Sequence, residues 1–289
     1  MTRRYTLLAW TAAASTYLLI VLGAVVRITG SGMGCGDHWP LCNGHLFPPL
    51  DDIGTVIEWS HRLVAALVSV LVATLAGYTW WLKRGAGSGE RYNPGSLSYV
   101  ALALLVIQVL LGAVTVKLEL PPWSVILHLG AAMLLLATLL IAATPHPLTP
   151  SPELGPVGAQ HAAPLHLPLL ALAFITVLFG ALTANLGAAA ACSGFPLCNG
   201  QVWPTGGGGG GTLAHIHWTH RLLAYALAIA VTVWAVRTPG WRAKAVLGLV
   251  ALQVAVGAAT VLLGLPGGLQ AAHVAVGAAV WAGVVLAAQ

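Results

Sequence analysis

Four histidines in two matched pairs are the residues of this sequence best suited to chemistry. They are His61 and His128 in the first half of the chain, and His220 and His273 in the second half. All four lie in apolar stretches, and an ionisable side chain inside a membrane segment usually has a function. Two imidazoles that face each other across a helical bundle can bind one iron from opposite sides. The pairs therefore predict two iron sites.

The number of ligands in each pair favours haem over a bare metal ion. Zinc or copper is an alternative, but two histidines leave a tetrahedral site half empty. Haem iron needs only axial ligands from the protein, because the porphyrin supplies the others. A second alternative is that each histidine bonds to nearby backbone at the membrane interface. Four histidines at matching depths in two repeats favour the ligand role.

The sequence around the histidines occurs twice. Residues 58–63, Glu-Trp-Ser-His-Arg-Leu, return at 217–222 as His-Trp-Thr-His-Arg-Leu. The segment Pro-Leu-Cys-Asn-Gly at 40–44 returns unchanged at 196–200. The chain is therefore a tandem duplication, and the positions where its two halves differ indicate which half does the chemistry.

The first of these differences places a carboxylate in one half only. Glu58 lies one helical turn before His61, and its counterpart is His217. Such a carboxylate can accept protons beside a haem edge or stabilise positive charge on a reacting carbon. The alternative is an acid that the dipole favours near the start of a helix.

Three arginines are candidate contacts for haem propionates. Arg27 is present only in the first half, where its counterpart is Ala184, whereas Arg62 and Arg221 follow a candidate ligand in each half. Guanidinium groups pair well with carboxylates. The alternatives are a snorkelling interfacial side chain for Arg27 and lipid phosphates as partners of the other two.

Each half carries two cysteines, in segments that we expect to be loops outside the cytoplasm. That compartment permits disulfides. Because each loop has only two cysteines, we expect the pairs Cys35–Cys42 and Cys192–Cys198. They are either structural staples or, for the first pair, a redox-active couple. Neither pair has the Cys-x-x-Cys spacing of thiol oxidoreductases.

The composition is that of a multi-pass membrane protein. The chain is 58% hydrophobic and only 7% charged, with a mean hydropathy of +0.87. About 20 apolar residues span a bilayer. Eight segments meet that length: 7–27, 61–82, 97–117, 123–143, 165–185, 215–236, 242–263 and 269–287.

The distribution of positive charge predicts the orientation. Lys and Arg gather before the first segment, between the second and third, and between the sixth and seventh. These residues are Arg3, Arg4, Lys83, Arg84, Arg91, Arg237, Arg242 and Lys244. The positive-inside rule then places both termini in the cytoplasm and the cysteine loops outside the cell membrane. The net charge of +5 reflects this topology and indicates no nucleic-acid partner.

The predicted fold is an all-α membrane protein of two parallel repeats. Four spans per half give both halves the same orientation, with a pseudo-two-fold axis along the membrane normal. We expect an N-terminal four-helix bundle at 1–143, a cytoplasmic linker at 144–164 and a C-terminal four-helix bundle at 165–289.

These motifs together resemble those of the haem A synthase family, over nearly the whole chain. The resemblance rests on Val-Val-Arg-Ile-Thr-Gly-Ser-Gly at 25–32, the cysteines at 35 and 42, residues 58–63 and the four paired histidines. It implies oxidation of the C8 methyl of haem O to the formyl of haem A by successive hydroxylations, for terminal oxidase biogenesis.

The resemblance also implies roles for the site residues. Haem O, the substrate, would lie between His61 and His128, and a haem b cofactor between His220 and His273. Glu58 would be the catalytic acid, and the Cys35–Cys42 pair would be tied to activity. The implied partners are a haem O synthase (a farnesyltransferase), oxidase assembly factors, membrane lipid and an electron acceptor of unknown identity. The resemblance is also compatible with a homo-oligomer.

Three other functions are alternatives to this one. A di-haem b electron-transfer cytochrome would explain the histidines without Glu58 or Arg27. A transporter or haem-delivery protein would need a central polar path. Gln108 and Gln253, the main uncharged polar candidates in mid-helix, are better suited to hydrogen bonds between helices. A thiol-oxidising membrane enzyme is disfavoured by the cysteine spacing.

Overall fold

The computed structural model describes residues 3–49, 51–85, 97–144, 166–205 and 209–289. Within these residues, eight helices are long and apolar enough to cross a membrane, which confirms the prediction of an all-α membrane protein. The helices are α1 (Arg3–Ile28), α2 (Ile53–Gly85), α3 (Leu97–Lys117), α4 (Pro122–Ala143), α5 (His166–Asn185), α6 (Gly209–Arg237), α7 (Trp241–Leu262) and α8 (Gly267–Ala287). The predicted linker lies outside the described residues except for Thr144, as does Arg91.

The chain forms two compact units, Met1–Pro145 and His146–Gln289, each with four of these helices. In the first unit α1 packs against α2 and α4, and α3 packs against α4 and α2. In the second unit α5 packs against α6 and α8, and α7 packs against α8 and α6. The duplicated sequence therefore produces the same set of helix contacts inside each unit.

Large apolar side chains fill the interior of each unit. In the first unit Leu75 of α2 and Leu139 of α4 have no exposed surface. In the second unit Val231 of α6 is fully buried, and the rings of Phe174 and Trp281 are 5.5 Å apart. The contact between Phe174 and Trp281 joins α5 to α8 in the unit that carries His220 and His273.

The structure corrects the predicted starts of α2 and α6. The sequence placed them at 61 and 215, but the helices begin at Ile53 and Gly209. The additional turns are more polar than the spans that follow, so hydropathy did not detect them. They form helix because they pack against the short 3-10 helices of the preceding loops, Ser31–Met33 and Ala188–Ala191. His61 therefore lies more than two turns inside α2 and does not open it.

Asp52 caps the first turn of α2. Its carboxylate accepts hydrogen bonds from the Thr55 backbone N–H at 2.7 Å and the Thr55 hydroxyl at 3.0 Å. The backbone bond chiefly lowers the pKa of Asp52 below its ordinary value of 3.8. A side-chain oxygen at this position satisfies a helix N–H that has no partner within the helix. The cap fixes where α2 begins, beside the cysteine loop.

The cap predicts a pH-dependent start of α2. Bonding to the charged form depresses the pKa of Asp52 in the folded protein. The cap therefore stabilises the first turn of α2 fully above about pH 4, and this stabilisation is lost as the pH falls through the folded pKa. We expect Asp52→Ala to increase amide hydrogen exchange at Thr55 and Val56 at neutral pH, and wild type to lose protection there only on acidification. Asp51→Ala is the matched control and should leave both unchanged. Equal exchange in the two variants would show that the cap does not hold the turn.

Candidate functional site

The structure brings each predicted histidine pair together inside its own unit. In the second unit the ring centroids of His220 and His273 are 6.4 Å apart, with the ring planes nearly perpendicular at 84°. In the first unit His61 of α2 lies against Gly23 of α1 and His128 of α4 lies against Gly112 of α3, and α1 packs against both α2 and α4. All four residues keep part of their surface accessible, although they lie within apolar helices.

The separation of His220 and His273 suits a single ion between the two rings. Bonds from metals to imidazole nitrogen are about 2 Å long, and the ring centre lies about 1 Å beyond the nitrogen, so two opposed ligands have centroids about 6 Å apart. In the described part of the chain, no group of three or more His, Cys, Asp or Glu is arranged to bind a metal ion. This donor set fits an ion that brings most of its own ligands, as haem iron does.

Each of the four histidines lies against a glycine of the neighbouring helix. A Cβ at Gly180 or Gly257 would lie 2.9 Å from Cε1 of His220 or His273, closer than real contacts allow. In the first unit a Cβ at Gly23 would lie 3.3 Å from His61 Nε2, and one at Gly112 would lie 3.2 Å from His128 Cε1. At all four positions glycine lets the imidazole ring pack directly against the neighbouring helix. Two histidines in each unit, each seated against a glycine, fit a bound haem as ligands of its iron.

Two glutamines contact two of the histidines, and the sequence analysis did not connect them with the sites. Gln108 of α3 lies 3.1 Å from His128 of α4, measured between their Nε2 atoms. Gln253 of α7 lies 3.3 Å from His273 of α8 in the same way. The expectation that these glutamines hydrogen-bond between helices is confirmed. The matching glutamine and histidine spacing in the two halves was the available sequence signal.

Glu58 is buried and joins the first cysteine loop to α2. Only 3% of its surface is exposed. Its Oε2 accepts a hydrogen bond from the Cys35 backbone N–H at 2.8 Å, and its Oε1 forms an ion pair with Arg62. Arg62 also donates to the carbonyl oxygens of His38 at 2.7 Å and Leu41 at 2.6 Å. The carboxylate is thus held one turn from His61 by the disulfide loop and an arginine.

Arg221 performs the corresponding task in the second unit. It donates to the carbonyl oxygens of Gly194 at 2.9 Å, Leu197 at 2.8 Å and Cys192 at 3.1 Å. Gly194 and Leu197 are the repeat counterparts of the two carbonyls that Arg62 contacts. Hydrogen bonds from a guanidinium are charge-assisted and directional. Both arginines therefore anchor their cysteine loops to the helix that carries a candidate ligand.

His217 takes the place of Glu58 without supplying a charge. Its Nδ1–H donates to the Ala188 carbonyl at 3.1 Å, and its Nε2 accepts from Arg221 Nε at 3.2 Å. An imidazole that donates with one nitrogen and accepts with the other is neutral. Both of its nitrogens are used, so His217 supports the loop and has no lone pair left for a metal.

The remaining predicted site residues lie in the disulfide loops or at the helix ends that adjoin them. Cys35 and Cys42 are bonded to each other, as are Cys192 and Cys198, so the cysteines pair within each loop as predicted. Arg27 lies in the last turn of α1 and is partly buried. The contacts of Arg62 and Arg221 are to loops, so a propionate contact for any of the three arginines stays a prediction.

The chain is similar to a set of known proteins over most of its length. A family model described as "Cytochrome oxidase assembly protein" (COX15-CtaA) matches residues 6–285. The protein named "Heme A synthase" of Bacillus licheniformis is 33% identical over 269 residues, covering 88% of this chain and 85% of that protein. The protein of the same name from Shouchella clausii is 32% identical over 234 residues, covering 80% and 75%. The matched range includes all four histidines and Glu58.

The arginine anchors predict how the cysteine loops respond to substitution. Lysine keeps the charge but not the planar set of donors. We expect Arg221→Lys to raise amide hydrogen exchange at Asn199 and Gln201 roughly tenfold or more, because each hydrogen bond to a charged group contributes about 1.5–3 kcal/mol. Arg237→Lys, at the exposed opposite end of α6, is the control. Unchanged exchange in Arg221→Lys would mean that the disulfide alone holds the loop.

Proposed function

The chain belongs to the cytochrome oxidase assembly protein family that includes the haem A synthases, and we propose that it is itself a haem A synthase. It is an oxidoreductase that converts the C8 methyl of haem O into the formyl of haem A by successive hydroxylations. The observation that carries this proposal is a pair of opposed, glycine-backed histidines in each unit, with a buried carboxylate beside only one pair. The named relatives support the same activity.

The two sites have different tasks in this proposal. The substrate haem O lies in the first unit between His61 and His128, next to Glu58. In the second unit His220 and His273 would hold a haem b cofactor, which would supply one-electron redox chemistry when bound. The task of the four imidazoles is to hold and orient the two haems.

Glu58 supplies the charge that the reaction at the methyl carbon needs. Each hydroxylation removes two electrons and one proton from the carbon, adds the oxygen of water, and releases a second proton. The second hydroxylation gives a geminal diol, which loses water to form the aldehyde. A fixed carboxylate stabilises positive charge that develops on the carbon and can accept a released proton. The Cys35 amide and Arg62 keep it at its place one turn from His61.

The membrane arrangement proposed for this function follows the charge distribution. Both termini face the cytoplasm, and the two disulfide loops face the opposite side. A haem O synthase is the source of the substrate, and an acceptor of single electrons removes the reducing equivalents. The alternative of a di-haem b electron-transfer cytochrome is not favoured, because the relatives that cover most of the chain carry the synthase name.

Glu58→Gln tests the catalytic assignment. We expect the yield of haem A and its hydroxylated precursor to fall about a hundredfold, the size of a lost acid–base group, while haem b remains bound. The protein is purified after co-expression with a haem O synthase, and its haems are extracted and separated by chromatography with mass detection. His217→Gln, the matched change in the second unit, should retain the activity. A full yield of haem A from Glu58→Gln would refute the assignment.

The glycines test the location of the cofactor. Gly257→Ala places a methyl group 2.9 Å from the His273 ring, whereas Gly248→Ala, on the same helix, meets open space. Overpacking typically costs about 1–3 kcal/mol, so we expect haem b occupancy to fall roughly tenfold in Gly257→Ala and to stay at the wild-type level in Gly248→Ala. The measurement is the haem-to-protein ratio of the purified protein. Equal occupancy in the two variants would place the haem elsewhere.

A further inference from the structure

In each unit, one histidine of the pair is in contact with a glutamine amide and the other is not. The amide nitrogens of Gln108 and Gln253 lie 3.1 and 3.3 Å from Nε2 of His128 and His273. In the described part of the chain, neither His61 nor His220 has an amide side chain at this distance. The same asymmetry has thus formed twice, between α3 and α4 and between α7 and α8.

The atoms in contact define what the amide does to the ring. An amide nitrogen can only donate, so the Nε2 atom that faces it accepts, and the ring proton is on Nδ1. A neutral imidazole has a single lone pair for accepting a hydrogen bond or binding a metal. The glutamine therefore occupies the electron pair of His128 or His273 that iron would use.

The amide is held only weakly at this position. Its oxygen, Oε1, is buried without a hydrogen-bond partner in both Gln108 and Gln253. An unpaired buried acceptor offsets much of what one neutral hydrogen bond contributes. The contact keeps the ring in the tautomer that a ligand needs, yet a stronger partner can displace it.

We propose that Gln108 and Gln253 are exchangeable caps on Nε2 of His128 and His273, the histidine of each pair that would bind the haem second. This proposal rests on the proposed function, because it takes the four histidines as haem ligands. The uncapped His61 or His220 would hold the haem first. His128 or His273 would bind it as its Nε2 gives up the hydrogen bond to the amide, with no proton or electron transferred. When the haem leaves, the amide would take Nε2 back, so the glutamine competes with the haem and keeps the second bond reversible.

A reversible second bond matters most in the first unit. The substrate has to enter that site and the product has to leave it, and both changes require ligand bonds to form and break. Gln108 supplies a replacement partner for His128 at the moment of release. It is a positioning residue, acting on the substrate through the histidine.

The test is the rate at which haem b leaves the purified protein for an excess of a haem-free globin. In Gln253→Leu, which has a similar volume and no donor, we expect release to slow roughly three- to tenfold, the effect of losing one competing neutral hydrogen bond. Gln253→Asn, in which the amide stops one methylene group short of the ring, should also slow the release of haem b. Thr260→Val is the control, since Thr260 is a buried polar residue of α7 whose hydroxyl donates to the Val256 carbonyl of its own helix. Its release rate should match the wild type.

The spectrum of His273→Ala separates this proposal from the proposed function. A shift from a six-coordinate to a five-coordinate haem, or loss of haem b, supports His273 as a ligand. If His273→Ala leaves the spectrum unchanged, both proposals fail. If it changes the spectrum but release from Gln253→Leu and Gln253→Asn is unchanged or faster, only the capping proposal is overturned. Slower product release from Gln108→Leu, measured with haem A, extends the result to the first unit.

Discussion

The close approach of each histidine-bearing helix to a glycine on its neighbour is the constraint on which both sites depend. A Cβ at Gly180 or Gly257 would overlap the ring edge of the facing histidine. In a bilayer, no hydrophobic force draws helices together, so small residues set how closely their backbones pack. Glycine at these positions lets the imidazole of one helix pack directly against the backbone of the next. The distance between the two ligands of a pair then follows from the packing of four helices.

The disulfide loops fix the ends of the helices that they adjoin, and they depend on one guanidinium in each unit, partly buried in Arg62 and buried in Arg221. Arg62 and Arg221 satisfy loop carbonyls that have no partner in regular structure, at distances of 2.6–3.1 Å. Buried backbone oxygens need such partners, and an irregular loop cannot supply them itself. Each arginine directly follows a histidine of the pair in the sequence. The helical turn that binds the loop through its arginine therefore also positions that histidine.

The sequence predicted the helices and the histidine pairs because both have periodic or repeated signals. Apolar length located α3 and α7 to within one residue at each end, and the duplication paired His61 with His128 and His220 with His273. Hydropathy missed the first turns of α2 and α6, since contacts with a loop stabilise them. It also gave no indication that Arg62 and Arg221 bind the loops, because the direction of a carbonyl in an irregular segment is set by its fold. The glutamine contacts needed the relative rotation of two helices, which spacing alone does not give.

Under the proposed function, the divergence between the units explains how a duplicated scaffold acquires one reactive site. Position 58 or 217 must accept a hydrogen bond from an arginine in both units, and either a carboxylate or a neutral imidazole meets that need. The scaffold therefore tolerates both residues, and the choice between them is free to follow the chemistry. In the second unit His217 uses both ring nitrogens within the loop, which leaves it inert. In the first unit Glu58 meets the same structural need and adds a negative charge beside His61. The fold requires a hydrogen-bond acceptor at this position, and in the first unit that acceptor is the charged Glu58. Under the proposed function, Glu58 therefore serves both the fold and catalysis.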